Sequence, residues 1–255
     1  MSMFNKKSLT ISILAVLPTF AFAHGNADVS NGSQIEIYKA NENHYHDHGD
    51  HAHVDEDTAY GIEAIWMHDS GFFVYGEGET GAHDFYQLGA GQYFNPTENI
   101  GWFAYGAYAQ GGYADSNELR ARLGLDYQVS HEFSLHGRIG YDFSNSEVAM
   151  GHEPHSVSLD NHHHDHSANS QLGRIDAGFT YELGHVAEFS YNYVVQKQFE
   201  NSLVADNETN LHYEARLTYT DAKIMPYVEY RQTNKAFDKH DFEESAVQFG
   251  VSFFY

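Results

Sequence analysis

Cysteine is absent from the 255 residues, which excludes thiolate metal ligation, thiol catalysis and disulfide stapling. Proline is scarce, at 4 residues. Positive charge is scarce too: 13 Lys and Arg stand against 36 Asp and Glu, for a formal charge of −23. Such a surface offers no basic footprint to nucleic-acid phosphates and is repelled by anionic headgroups. After residue 23 no long apolar run occurs, so nothing resembles a membrane-crossing helix of roughly 20 residues. That absence leaves a transmembrane barrel open, because barrel strands alternate and half their residues are polar. There is no G-x-S-x-G elbow, and the serine–histidine neighbours fall in turn-like or loop-like stretches. No catalytic constellation is visible, and the chain is read as not an enzyme.

What is present begins with a leader. Lys6 and Lys7 precede an apolar run from Leu9 to Leu17, followed by Ala21-Phe22-Ala23. This is the layout of a secretory signal peptide over residues 1–23, with the mature chain beginning near His24. The remainder, 24–255, holds aromatic-rich β material: 19 Tyr, 18 Phe and 22 Gly. Its last ten residues alternate strictly. Val247, Phe249, Val251, Phe253 and Tyr255 share one parity; Gln248, Gly250 and Ser252 share the other. Ending on an aromatic ring suits a barrel whose apolar face meets lipid and whose terminal ring joins an interfacial girdle. An edge strand of a soluble sandwich is the competing reading.

Alternation and turn residues together predict about twelve strands. They are Ser33–Asn41, Ala59–Met67, Phe72–Glu79, Asp84–Phe94, Ile100–Gln110, Glu118–Gln128, Phe133–Phe143, Gln171–Glu182, Val186–Lys197, Leu211–Tyr219, Lys223–Asn234 and Glu244–Tyr255. Most are close to the 9–11 or so residues a tilted transmembrane strand requires. Short turns such as His68–Gly71, Ser130–Glu132 and Leu183–His185 alternate with longer connections, of which only Thr80–His83 is brief. An up-and-down barrel with short periplasmic turns and long external loops produces that sorting, and a sandwich does not. The fold class read from the chain is therefore all-β: a transmembrane antiparallel up-and-down barrel in a Gram-negative outer membrane.

Parity assigns the lumen. All six arginines (Arg120, Arg122, Arg138, Arg174, Arg216 and Arg231) fall on the lumen parity, with Glu118, Glu214 and Glu229 interspersed. These nine are the candidate pore-lining residues. Two uses compete: guanidinium forks that bind a passing solute, or a salt-bridged wall in which arginines neutralise neighbouring acids. Near Phe73 and Trp102 both parities are aromatic, and neither face can be assigned.

The chain's size, its strand count, and the segments Lys223–Arg231 and Gln248–Tyr255 resemble the small oligogalacturonate-specific porin family. That resemblance implies a twelve-stranded outer-membrane channel in which the six arginines form the track for an acidic oligosaccharide. The many lumen carboxylates and the acidic loops depart from it.

Two predicted external loops, near 42–58 and 144–170, are rich in histidine. The first holds His44, His46, His48, His51 and His53; the second holds His152, His155, His162, His163, His164 and His166. Imidazole with carboxylate is the donor set of Zn2+, Ni2+ or Cu2+. The loose spacing suggests a flexible chelating tract, with pH sensing or plain surface as competing uses.

The function read from the sequence is passive diffusion of small hydrophilic solutes, oligosaccharides among them, with metal capture at the mouth and no required cofactor. The alternative is a non-conducting barrel serving as a surface metal-binding or adhesion protein. The partners implied are outer-membrane lipid and lipopolysaccharide, the small solute, and the barrel-assembly machinery through the C-terminal strand. Nucleic acid is excluded.

Overall fold

A computed structural model of the chain describes residues 33–47, 52–81, 84–111, 116–144, 170–201, 209–236 and 243–255. The leader read at 1–23 lies outside them. Twelve strands follow in order: β1 (Gln34–Asp47), β2 (Ala52–Met67), β3 (Phe72–Thr80), β4 (Phe85–Thr97), β5 (Ile100–Gly111), β6 (Ser116–Gln128), β7 (Phe133–Ser144), β8 (Ser170–Leu183), β9 (Ala187–Asn201), β10 (Thr209–Tyr219), β11 (Ile224–Ala236) and β12 (Glu243–Phe254). Each pairs antiparallel with its sequence neighbours, and β1 pairs with β12 from Gln34↔Phe254 to His44↔Glu244. The sheet is thus a closed barrel without a free edge, and the all-β, twelve-stranded reading holds.

Two predicted boundaries need correction. The stretch read as a loop over 42–58 is largely strand, because β1 and β2 keep pairing as far as Asp47↔Ala52. Charged and polar residues crowd both faces of that stretch, so no clean apolar alternation reveals it; the backbone ladder carries it on. The strand read as Asp84–Phe94 runs on to Thr97 as β4, with a register shift between Phe94 and Thr97. At the short-turn end, Gly71 adopts a φ of 82° that closes the β2–β3 turn, a conformation costly for any residue with a Cβ.

Outward positions are apolar. Ile62, Leu88, Leu123, Ile139, Ile175 and Leu217 are exposed around the middle of the wall. Exposed rings gather toward its two ends: Tyr60, Tyr86, Tyr108, Tyr141 and Phe199 at one, and Trp66, Phe72, Trp102, Tyr127, Tyr181 and Tyr219 at the other. A water-soluble protein does not expose hydrocarbon over its whole circumference. In a bilayer the same band, bounded by two aromatic girdles, is required.

The inward face answers what parity left open. Phe73, Tyr75, Phe103 and Tyr105 point inward and form a core cluster with Ile65, while Phe72 and Trp102 are exposed outside. Inward rings lie on glycines of adjacent strands: Tyr38 over Gly61, Tyr75 over Gly89, Phe103 over Gly124 and Tyr227 over Gly250. A Cβ at any of these glycines would fall inside the ring. At outward Gly106 the nearest atom to a new Cβ is 3.7 Å away, an ordinary contact. Gly124→Val is therefore expected to lower the unfolding free energy by about 1–3 kcal/mol through overpacking. Gly106→Ala should leave it unchanged or slightly raised, as read by urea titration of the refolded protein.

Candidate functional site: the barrel interior

The interior is dense with charge. Among the described residues ten carboxylates and six arginines are buried there, and no arginine is more than 9% exposed. Every guanidinium is engaged by a carboxylate. Arg120 pairs with Glu118 at 2.7 Å, Arg138 with Asp176 at 2.5 Å, and Arg174 with the same Asp176 at 2.6 Å. Arg122 grips both oxygens of Asp142 in a fork, its Nη2 donating at 2.8 Å. Arg231 pairs with Glu229 at 2.5 Å.

Arg216 is the longest crosspiece. From β10 it reaches past β11 and β12 to donate from Nη2 to Glu36 on β1 at 2.8 Å. Its guanidinium carbon lies 3.4 Å from the centroid of the Tyr227 ring, and Nε stands 3.5 Å from Glu229. Ser252 also donates to Glu36, at 2.7 Å. Four strands are thus tied together through the buried Arg216–Glu36 pair.

The opposite wall is acidic and aromatic. Register sets Glu36 opposite Glu63, and Glu63 opposite Glu77. The Tyr38 hydroxyl lies 3.1 Å from Glu77 and 2.9 Å from Glu79, and Gln87 donates to Glu77 at 2.8 Å. Arg120 crosses β5 to meet Gln87 at 3.1 Å. On β10, Glu214 meets His212 at 2.9 Å and accepts from Asn192 at 3.4 Å.

Of the sequence-derived candidates, the six arginines, Glu214 and Glu229 are buried inside, and Glu118 is half-buried beside Arg120. The guanidiniums do not stand as open forks awaiting a polyanion; the wall's own acids engage each of them. Parity puts Asp142 and Asp176 inside without naming them as partners; it missed Glu36, and it missed the ring cluster on β3–β5. Glycines set opposite inward rings were the available signal for that cluster. A surface depression of about 580 Å³ lies on the outer face over Ala90, Ala104, Gly106 and Ala121.

Among the residues whose side chains are described, no group of three or more His, Asp or Glu is arranged to hold a metal ion. His48, His51, His152, His155, His162, His163, His164 and His166 lie outside those residues. The backbone positions of His44, His46 and His53 fall on the β1–β2 ladder.

A closed antiparallel barrel with hydrocarbon outside and paired charge inside is a transmembrane β-barrel. No family model matches the sequence, and no curated protein does. Among solved structures the chain is similar to the NanC porin, at 13% identity and a TM-score of 0.64, over 87% of this chain and 100% of that one. It is similar to the KdgM porin in complex with disordered oligogalacturonate, at 12% identity and a TM-score of 0.55, over 87% and 99%. The translocator domain of the autotransporter NalP from Neisseria meningitidis is similar at 9% identity and a TM-score of 0.51, over 98% and 93%. At these identities the likeness is one of fold, and the fold hosts more than one role.

The ion pairs predict a stability effect. Arg216→Met removes the guanidinium that Glu36 faces and should lower the unfolding free energy by about 3–5 kcal/mol, the cost of stranding a buried charge. Adding Glu36→Gln should recover part of that loss in the same urea titration.

Proposed function

We propose that the chain is an outer-membrane channel for small hydrophilic solutes, exported by a leader cleaved near Ala23. In this reading its C-terminal strand meets the barrel-assembly machinery and its outer wall meets lipid and lipopolysaccharide. The observation that carries it is a polar, charge-lined interior within a closed transmembrane barrel of twelve strands. Buried carboxylates outnumber buried arginines, so small cations and neutral solutes, short oligosaccharides among them, are favoured over polyanions. Arg120, Arg122, Arg138, Arg174, Arg216 and Arg231, with Glu118, Glu214 and Glu229, then act as the lining, and passage requires the paired side chains to move aside.

The histidine-rich segments over 42–58 and 144–170 supply the other half of the proposal. Their imidazoles and carboxylates collect divalent metal, zinc above all, at the external mouth. No metal is needed for the barrel itself.

One observation favours a second reading. The interior arginines are so little exposed that the barrel resembles a filled one, which would serve as a non-conducting carrier of surface segments for metal binding or adhesion. Single-channel recording in a planar bilayer separates the two. The channel reading predicts steady steps with cation-over-anion selectivity, altered by micromolar zinc. Silence across both salt gradients and zinc would overturn it in favour of the filled barrel. Deleting 44–53 together with 162–166 should remove most zinc bound per chain while heat-modifiable migration on gels persists. Unchanged zinc stoichiometry would end the metal reading.

A further inference from the structure

The β1–β2 hairpin outruns its neighbours. Pairing of β2 with β3 ends at Tyr60↔Thr80 and pairing of β1 with β12 ends at His44↔Glu244, yet β1 and β2 continue to Asp47↔Ala52. In this extension the ladder sets His44 opposite Asp55 and His46 opposite His53. Residues directly opposite across an antiparallel pair share a face, and so do residues two apart on one strand. His44, His46, His53 and Asp55 therefore occupy the four corners of one patch on one face. The other parity of the same segment holds Asn43, Tyr45, Asp47, Ala52, Val54 and Glu56, with no imidazole. All three histidines of the two arms fall on one parity, and it is the parity that Tyr38, Ala40 and Glu42 carry into the interior. Glu244 takes the register position on the far side of His44.

Resting on the reading that the external segments bind divalent metal, we propose that the hairpin register builds one defined transition-metal site from His44, His46 and His53, with Asp55 as the carboxylate ligand. Cβ atoms directly opposite one another stand about 4.5–5.5 Å apart, and those two residues apart on a strand about 7 Å. Such backbone spacings suit the donor set of one ion, whose metal–nitrogen bonds are about 2.0–2.1 Å. Three nitrogens and one oxygen are the donors of tetrahedral Zn2+, with Co2+ as a faithful substitute. Oxygen-seeking Ca2+ and Mg2+ are poorly served. The β ladder holds both arms before metal arrives, so the site is a built one, unlike a chelating tract that wraps any ion it meets.

The test keeps composition constant and changes only the face. In the full-length refolded protein, the paired exchange His53→Val with Val54→His retains every histidine but moves one corner to the opposite parity. Zinc affinity is read by competition with a chelating dye, and site geometry by the visible absorption of bound Co2+. The parent protein should show intense tetrahedral Co2+ bands. The exchange should abolish them and weaken the tightest zinc site by more than about tenfold, a loss that even disturbing an outer partner of a ligand can cause. A His44→Ala variant should do the same, and circular dichroism should report an intact barrel for both. If zinc binds but the exchange variant behaves as the parent, the defined site is wrong while the broader metal reading stands. If the parent binds no zinc, both fall.

Discussion

Backbone hydrogen bonding in hydrocarbon is the constraint on which everything else here depends. Lipid offers no partner to an unpaired N–H or C=O, so a sheet can cross a bilayer only if it closes on itself. Closure is supplied by β1 and β12, the first and last strands of the ladder. Once it is made, the period of two in each strand sorts side chains into a hydrocarbon band outside and a charged enclosure inside. Neither face is optional: the outer residues would be insoluble in water, and the inner ones could not be tolerated in lipid.

Enclosure then forces the charges to find one another. A guanidinium removed from water costs several kcal/mol unless acceptors replace its hydration. The acceptors come from neighbouring strands, as in Arg122 with Asp142, or from across the enclosure, as in Arg216 with Glu36. The surplus acids gather near β1–β3, where tyrosine hydroxyl and glutamine amide groups donate to them. The result is a polarised interior, with paired guanidinium and carboxylate on one side and surplus carboxylate with aromatic rings on the other. A solute passing through would have to exchange with internal charges that are already paired. On the proposed channel reading this would favour small, weakly charged passengers over long polyanions, unlike what the resemblance to acidic-oligosaccharide porins implies.

Much of the fold was legible because the signals that specify it are local. Glu118–Tyr127 and Val247–Tyr255 alternate cleanly, and Ser130-His131-Glu132 and Leu183-Gly184-His185 mark their turns, so strand number and order follow from periodicity and punctuation. Residues 42–47 and 52–58 escaped because charged and polar residues crowd both faces there and only the ladder makes them strand. The faces of β3 and β5 escaped because rings occupy both parities, and only closure decides which set is enclosed. The arginines could be assigned to the interior but their partners could not. Glu36 and Arg216 lie 180 residues apart, and their meeting is a property of the finished cylinder.

The rings seated on glycine have a consequence for assembly. Alternation forbids a strand from sliding by one residue, since every side chain would change face, but it says nothing against sliding by two. Moving Phe103 two places along β6 would bring it against Arg122 or Asp126 in place of Gly124, and moving Tyr227 along β12 would bring it against Gln248 or Ser252 in place of Gly250. The sockets thus act as a key that accepts one alignment among those the alternation leaves equivalent. A chain that inserts strand by strand into a membrane, where mispaired ladders are slow to come apart, carries its own proofreading in the placement of its glycines.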